Sequence, residues 1–172
     1  MIVPSIPVAN FAQLLIANAV AAKFEPYAPA SADTGGETWF DGSGIYYCPD
    51  AITWRKVWDT HIRNEAIGNV GNVGNLNPPP AVNFKKNVVL ALFAGPTRGV
   101  GGYRAVGGFK LGQEAVIRLA PVPINNPANA IALPRPWTFL VIERSNLTVT
   151  IQIFQNGKWA ALTKLTPKPE EK

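Results

Sequence analysis

The chain has 172 residues, of which 47% are hydrophobic and 16% charged, a balance that excludes a disordered polypeptide and fits one domain with an arm. Its formal charge of +5 comes from scattered basic residues, with only Arg55-Lys56 and Lys85-Lys86 adjacent, so no basic stripe for nucleic acid is read. One cysteine, Cys48, excludes an internal disulfide framework, and one histidine, His61, leaves little material for a nucleophile–base pair.

Residues 1–22 carry no charge. Pro4, Pro7, Asn10, Gln13 and Asn18 interrupt the apolar run, and it lacks the basic leading region of a secretory signal. It is also too polar and broken for a membrane span, and none is expected. Phe11, Leu14, Leu15, Asn18 and Ala22 recur at helical spacing behind a capping Asn10, which predicts a helical arm over Phe11–Ala22. Ile6, Phe11, Leu14 and Leu15 are the arm's candidate packing residues, expected to pack on their own domain or on a neighbouring subunit. The segment EPYAPASADTGGE reads as a linker from its Pro, Ala, Ser and Gly content. TWFDGSGIYYC reads as a strand pair turning at Asp41-Gly42-Ser43-Gly44.

A helix is expected over about 50–63, with Asp50 as N-cap and Ala51, Trp54, Trp58 and Ile62 along one face. The two tryptophans on that face are core residues in this reading, His61 is a packing or helix-end residue, and Cys48 is a small core residue. Gly-Asn-Val at 68–70 and 71–73, continued by Gly74-Asn75-Leu76, is too short for a solenoid and reads as an exposed loop before Pro78-Pro79-Pro80.

From Ala81 the pattern is β, in the segments VNFKKNVVLALFAG, YRAVGGFKLG, EAVIRLAPVP, WTFLVIERS and LTVTIQIFQNGKWAALTKL. Asn156-Gly157 between apolar runs predicts a type I′ hairpin with Phe154 opposite Trp159, and with Val149, Ile151 and Ile153 meeting Ala160 and Leu162 on the other face. The fold class is therefore α+β: a predominantly antiparallel sheet, sandwich or small barrel with one packed helix and an N-terminal helical arm. Residues 1–36 form arm and linker, 37–166 one β-rich domain, and 167–172 a solvated polar tail.

Three loops marked by proline or glycine, GPTRGVGGY (95–103), PVPINNPANA (121–130) and LPRPW (133–137), emerge at one end if successive strands run antiparallel. That end would carry Thr97, Arg98, Tyr103, Asn125, Asn126, Arg135 and Trp137. Arg104 occupies the third glycine position of a dinucleotide fingerprint, and the glycine loop lacks the Lys and Ser/Thr of a P-loop, so no phosphate cradle is read. Tyr, Trp and Arg on proline-stiffened loops suit a protein interface instead. Alternatively, Gly101-Gly102 make a β-bulge while Tyr103 and Trp137 face the core. No metal, cofactor or catalytic group is expected.

The order WRKVW (54–58), VNFKKNVVLALFAG (82–95), the Pro96-Thr97…Gly101-Gly102-Tyr103 loop, PVP and PWTFLVIER resembles the C-terminal domain of the PrcB family over roughly residues 45–145. Phe84, Gly95, Pro121, Pro136 and Val141 are further matching positions. The resemblance implies a non-catalytic subunit that associates with and stabilises a secreted or surface protease, in an extracellular or envelope setting. Arg98-Gly99-Val100 lengthens the glycine loop relative to that family, and the Gly-Asn-Val insert is additional. Pro96-Thr97, Gly107-Gly108 and Arg135-Pro136-Trp137 are also similar, in their order, to the loops of chagasin-like cysteine-protease inhibitors. Both resemblances imply binding to a protease rather than cleavage. The other reading is a structural subunit of a particle coat or surface layer, a homo-oligomer held by the charge-free arm.

Overall fold

The computed structural model describes residues 25–36, 38, 40, 42–62, 78–97, 99–124 and 134–169. The expected helix over Phe11–Ala22 with Phe11, Leu14 and Leu15, the arm residue Ile6, the Gly-Asn-Val repeat, Arg98, Asn125 and Asn126 lie outside the described residues.

Among the described residues, two sheets and one helix stack as three layers. Strands β1 (Glu25–Pro26), β5 (Val100–Leu111), β6 (Glu114–Pro123), β8 (Thr148–Gln155) and β9 (Lys158–Leu165) form sheet A in the order β1-β5-β6-β8-β9. Strands β2 (Ser31–Gly35), β7 (Trp137–Glu143), β4 (Asn87–Ala94) and β3 (Ser43–Cys48) form sheet B in the order β2-β7-β4-β3. Helix α1 (Ala51–Ile62) covers the outer face of sheet B.

The run NVVLALFA in β4 is buried at nearly every position because both its faces are covered. Val88, Leu90 and Leu92 join Ile117, Leu119, Leu140, Ile142 and Ile151 between the sheets. Val89, Ala91 and Phe93 turn the other way, onto Trp54, Trp58 and Phe139 under the helix. Sheet A has one buried face, and its central strands alternate accordingly, as in β8, where Val149, Ile151 and Ile153 point inward.

The helix begins as its sequence dictates. Asp50 accepts a hydrogen bond from Thr53 N at 2.7 Å, which caps the first turn and holds the carboxyl below the usual carboxylate range. Trp54, only 3% exposed, donates from Nε1 to Pro80 O at 3.2 Å and packs edge-on against Phe139. The stripe that faces the sheet runs through Trp54, Trp58 and His61 rather than ending on Ile62.

The Asn156-Gly157 turn forms with both residues at positive φ (52° and 77°), and Phe154 lies opposite Trp159 with ring centroids 5.2 Å apart. Ile153 faces Ala160 as expected, but Leu162 pairs with nothing. The register slips between Ile151/Thr163 and Gln152/Ala161, so Leu162 is the extra residue of a bulge in edge strand β9.

Four other expectations are corrected. The linker forms β1 and β2, edge strands that need few apolar residues because each exposes one side to solvent. The hairpin at Asp41–Gly44 does not form: β3 pairs with β4, whose apolar residues give it a buried partner, and Thr38 and Phe40 lie outside any strand. The β6–β8 pairing is parallel, because β7 crosses to sheet B and returns the chain to the starting end. Pro167 is buried rather than part of a solvated tail, since Ser145 N donates to its carbonyl at 2.7 Å. Arg144 holds this corner together, donating to Phe84 O at 2.7 Å, Lys168 O at 3.0 Å and Pro49 O.

The glycine loop is where the two sheets touch most closely. Between Val100/Pro123 and Tyr103/Pro121 one extra residue enters β5, the bulge that Gly101-Gly102 suggested. A Cβ on Gly102, at φ +139°, would stand 2.1 Å from Thr34 Oγ1. This closeness lets Tyr103 N donate to Thr34 Oγ1 at 2.9 Å and to Thr138 Oγ1 at 3.1 Å. Thr34 Oγ1 donates onward to Trp137 O at 2.8 Å and Thr138 Oγ1 to Tyr103 O at 2.9 Å. Each hydroxyl has a single proton, so their mutual 3.1 Å contact is left without one in this arrangement.

Gly102→Ala is expected to cost about 3 kcal/mol or more, through steric overlap, backbone strain and loss of the shared donor. Gly99→Ala, at φ +74° with open space around its Cβ, should cost only about 1 kcal/mol. Urea denaturation of the two variants checks the contrast.

Candidate functional site

The three predicted loops are stitched together at one end of the sandwich by their backbones. Thr97 N donates to Pro134 O at 2.9 Å, Ala94 N to Pro136 O at 3.0 Å, and Ile124 N to Gly99 O at 3.2 Å. Arg135 N reaches Gly36 O at 2.9 Å, which adds the end of β2. Proline suits positions 134 and 136: its carbonyl accepts these bonds, while its fixed φ pre-sets the extended path.

The side chains divide. Trp137 is half-buried on the helix side of sheet B, its ring lying over Gly35, where a Cβ would come within 2.7 Å of its Nε1. It packs 4.6 Å from Phe139 and 4.7 Å from His61, centroid to centroid. Tyr103 is half-buried on the opposite, inter-sheet side, where burial pushes its phenol up from the ordinary value. Arg135 is half-buried beside the Pro134 and Pro136 turns. Thr97 and Tyr103 thus share a surface that Trp137 does not.

That surface is a cleft of about 440 Å³ at the loop end, open between edge strands β3 and β9. Ser43, Gly44 and Ile45 form one wall; Ile153, Gln155 and the bulged Leu162 form the other. Ala94, Thr97 and Tyr103 close its inner end. Among the described residues, no Asp, Glu, Lys, Arg or His lines it. The Thr97 hydroxyl is buried there without a hydrogen-bond partner among the described residues. Leu162 remains 39% exposed.

Sequence reasoning reached Thr97 and Tyr103 through the glycine loop but missed Ser43, Ile45, Ile153, Gln155 and Leu162. The hairpin register was the one available signal, and the bulge that aims Leu162 at the cleft is invisible without the partner strand.

The two groups with the chemistry to react lie elsewhere. Cys48 is fully buried, and burial, helped by the Asp50 charge, pushes its thiol up to about 12. His61 is 7% exposed at the centre of an aromatic cluster of Trp58, Phe93, Trp137 and Phe139. Its Nδ1 lies 2.8 Å from Thr38 Oγ1, the hydroxyl that also accepts from Phe40 N. Burial outweighs the nearby Asp33 charge and lowers its pKa to about 4. Among the described residues, no group of three His, Cys, Asp or Glu is arranged to hold a metal, and no helix is long and apolar enough to cross a membrane.

The histidine makes stability pH-dependent in a defined window. An unfolded imidazole takes its proton near pH 6.5, whereas the folded one stays neutral down to about pH 4. The unfolded chain therefore binds the extra proton between these values, and stability falls as pH drops through them. Denaturant titrations should show a loss of about 2 kcal/mol from pH 7 to pH 5, largely absent in His61→Gln. Cys48 should react with a thiol reagent at pH 8 only as fast as the protein unfolds, which a comparison with and without urea measures.

No protein-family model, no curated protein and no solved structure matches the chain.

Proposed function

We propose that this chain is a non-catalytic protein-binding module that holds an extended apolar segment of a partner at its loop end. The observation that carries the reading is the cleft itself: among the described residues its mostly apolar lining has no ionic side chain, it lies between β3 and β9, which end their sheets, and it holds one buried unpartnered hydroxyl. Such a site offers burial and backbone hydrogen bonding and little acid–base chemistry, as in recognition by strand addition. Cys48 and His61 are buried outside it, as packing groups. The PrcB resemblance names the kind of partner, a protease stabilised by association. Residues Thr97 and Tyr103 would touch that partner directly, with Arg98, Asn125, Asn126 and Arg135 on the surrounding loops. Trp137 supports the site from beneath by fixing the start of β7.

A second reading is a structural subunit of a larger assembly, held by the apolar arm with Ile6, Phe11, Leu14 and Leu15. It is favoured by a charge-free run of 22 residues in a chain that also leaves Tyr46, Tyr47, Phe154 and Leu162 exposed along or beside its free edges.

The binding reading is tested by capture on the immobilised full chain, with Leu162→Arg as control. A captured protein, purified and rebound, should bind Leu162→Arg at least tenfold more weakly, about 1.4 kcal/mol, while the thermal midpoint stays within a few degrees. Equal binding to both proteins would remove the cleft from the interaction. Trp137→Ala is a poor control, because it opens a cavity in the aromatic cluster.

A further inference from the structure

We infer that the C-terminal half of α1 is an acid-released latch: a proton on His61 frees residues 58–62 from sheet B and uncovers Phe93, Trp137 and Phe139, while the two sheets stay folded.

The helix is lightly anchored, and its two ends are anchored differently. Of its twelve residues, Trp54 and His61 are the buried ones. The first turn is held by groups that keep their state in mild acid. Asp50, a carboxylate held below its ordinary range, caps Thr53 N; Trp54 Nε1 donates to Pro80 O; and the Arg144 guanidinium reaches Pro49 O just ahead of the helix. The last turn depends on the ring contacts of Trp58 and His61 and, among the described residues, on one side-chain hydrogen bond out of the helix, between His61 Nδ1 and Thr38 Oγ1 at 2.8 Å. The aliphatic core lies on the other side of sheet B and includes no residue of α1, so the sandwich keeps that core when the last turn leaves.

The bond to Thr38 has a direction. Thr38 Oγ1 already accepts from Phe40 N at 3.1 Å, so the arrangement that satisfies both groups has its hydroxyl donating to an unprotonated Nδ1. A proton on Nδ1 leaves this hydroxyl, in a residue only 5% exposed, with its own proton unaccepted. The imidazolium would also be buried among Trp58, Phe93, Trp137 and Phe139, whose rings return only part of its lost hydration.

The surrounding charges do not offset this cost. Asp33 of β2 lies opposite Phe139 and attracts the proton, but it is exposed and burial of the ring outweighs it. Strand β4 has no ionisable side chain, and β7 has only Glu143, at its far end opposite Asn87. Tyr46 and Cys48 of β3 share the aromatic face, and burial keeps the thiol neutral. On α1 itself Arg55 and Asp59 pair with each other and Lys56 is exposed, while Arg135 adds a positive charge to the loop before Trp137.

A released imidazole takes its proton near pH 6.5 and the docked one near 4, so the released form gains on the docked form as pH falls between these values. Its population should rise about twentyfold from pH 7 to pH 5. A released turn of so short a helix does not hold its own hydrogen bonds, so amide exchange reads the release. In the full chain, after correction for intrinsic rates, protection of residues 58–62 should fall about twentyfold between these pH values, with little dependence on low urea. Strand β8 should stay better protected, and urea should lower its protection steeply. His61→Phe and His61→Gln should each abolish the fall in α1. Equal protection and equal urea dependence in α1 and β8 would mean that the helix leaves only with global unfolding, which overturns the inference. Protection of α1 that is the same at pH 7 and pH 5 overturns it as well. A fall that survives in either variant would belong to another group, such as Asp33 or Asp59, with the same consequence. Should neither variant fold, the ring-proton resonances of the one histidine decide in the native chain: a second signal titrating near pH 6.5 must grow in step with the lost protection, and its absence overturns the inference.

Discussion

The structure turns on one shared donor. Tyr103 N–H, on sheet A, points at the hydroxyls of Thr34 and Thr138, on sheet B, and Thr138 returns a bond to Tyr103 O. Thr138 is completely buried, so leaving its hydroxyl unpaired would cost about 1–3 kcal/mol. The backbones can come this close only because residue 102 has no Cβ. Fixing the sheets at this point fixes where β5 leaves the loop, where β7 begins and how far apart the walls of the cleft stand. The glycines of the 95–103 segment therefore serve an inter-sheet junction first, and the site is a consequence of it.

Sheet B is the layer around which the rest is arranged. Its two faces make two different cores: aliphatic against sheet A, aromatic against the helix. The aromatic side accommodates His61 as a neutral ring among Trp58, Trp137 and Phe139, which spends the only histidine on packing. The aliphatic side runs out toward the β3 and β9 edges, where buried Ile153, half-buried Ile45 and exposed Leu162 line the cleft. Packing and recognition are continuous here: the cleft is the uncovered end of the core.

The outer face of sheet A has a different character. Arg118 lies 5.4 Å from the Phe109 ring centroid and 5.1 Å from that of Trp159, while its Nε donates to Gln152 Oε1 at 3.2 Å. The guanidinium bridges aromatic residues of β5 and β9 across the face and covers part of their apolar area. The surface ion pairs Lys110–Glu25 and Lys164–Glu114 are solvent-exposed and contribute little stability by themselves.

What the sequence determined by itself is what depends on neighbours a few residues away. Asp50 capping Thr53, the Trp54/Trp58 face of the helix and the Asn156-Gly157 hairpin with Phe154 beside Trp159 are local consequences of side-chain size, capping and φ preference, whereas a bulge at Gly101-Gly102 was one of two readings the sequence left open. A β-rich, sandwich-like fold with one packed helix followed from the same periodicities. The tertiary structure decided the rest. Polar EPYAPASADTGGE became edge strands because β5 and β7 offered it open hydrogen bonds. β6 and β8 became parallel neighbours because β7 crossed between sheets. Tyr103 and Trp137, expected on one rim, took opposite faces because strand alternation is fixed by which core each sheet buries. The Leu162 bulge, and with it one wall of the cleft, depended on the partner strand β8. Pairing between strands distant in sequence is set by competition among many possible partners, and a single strand's own residues do not encode the outcome of that competition.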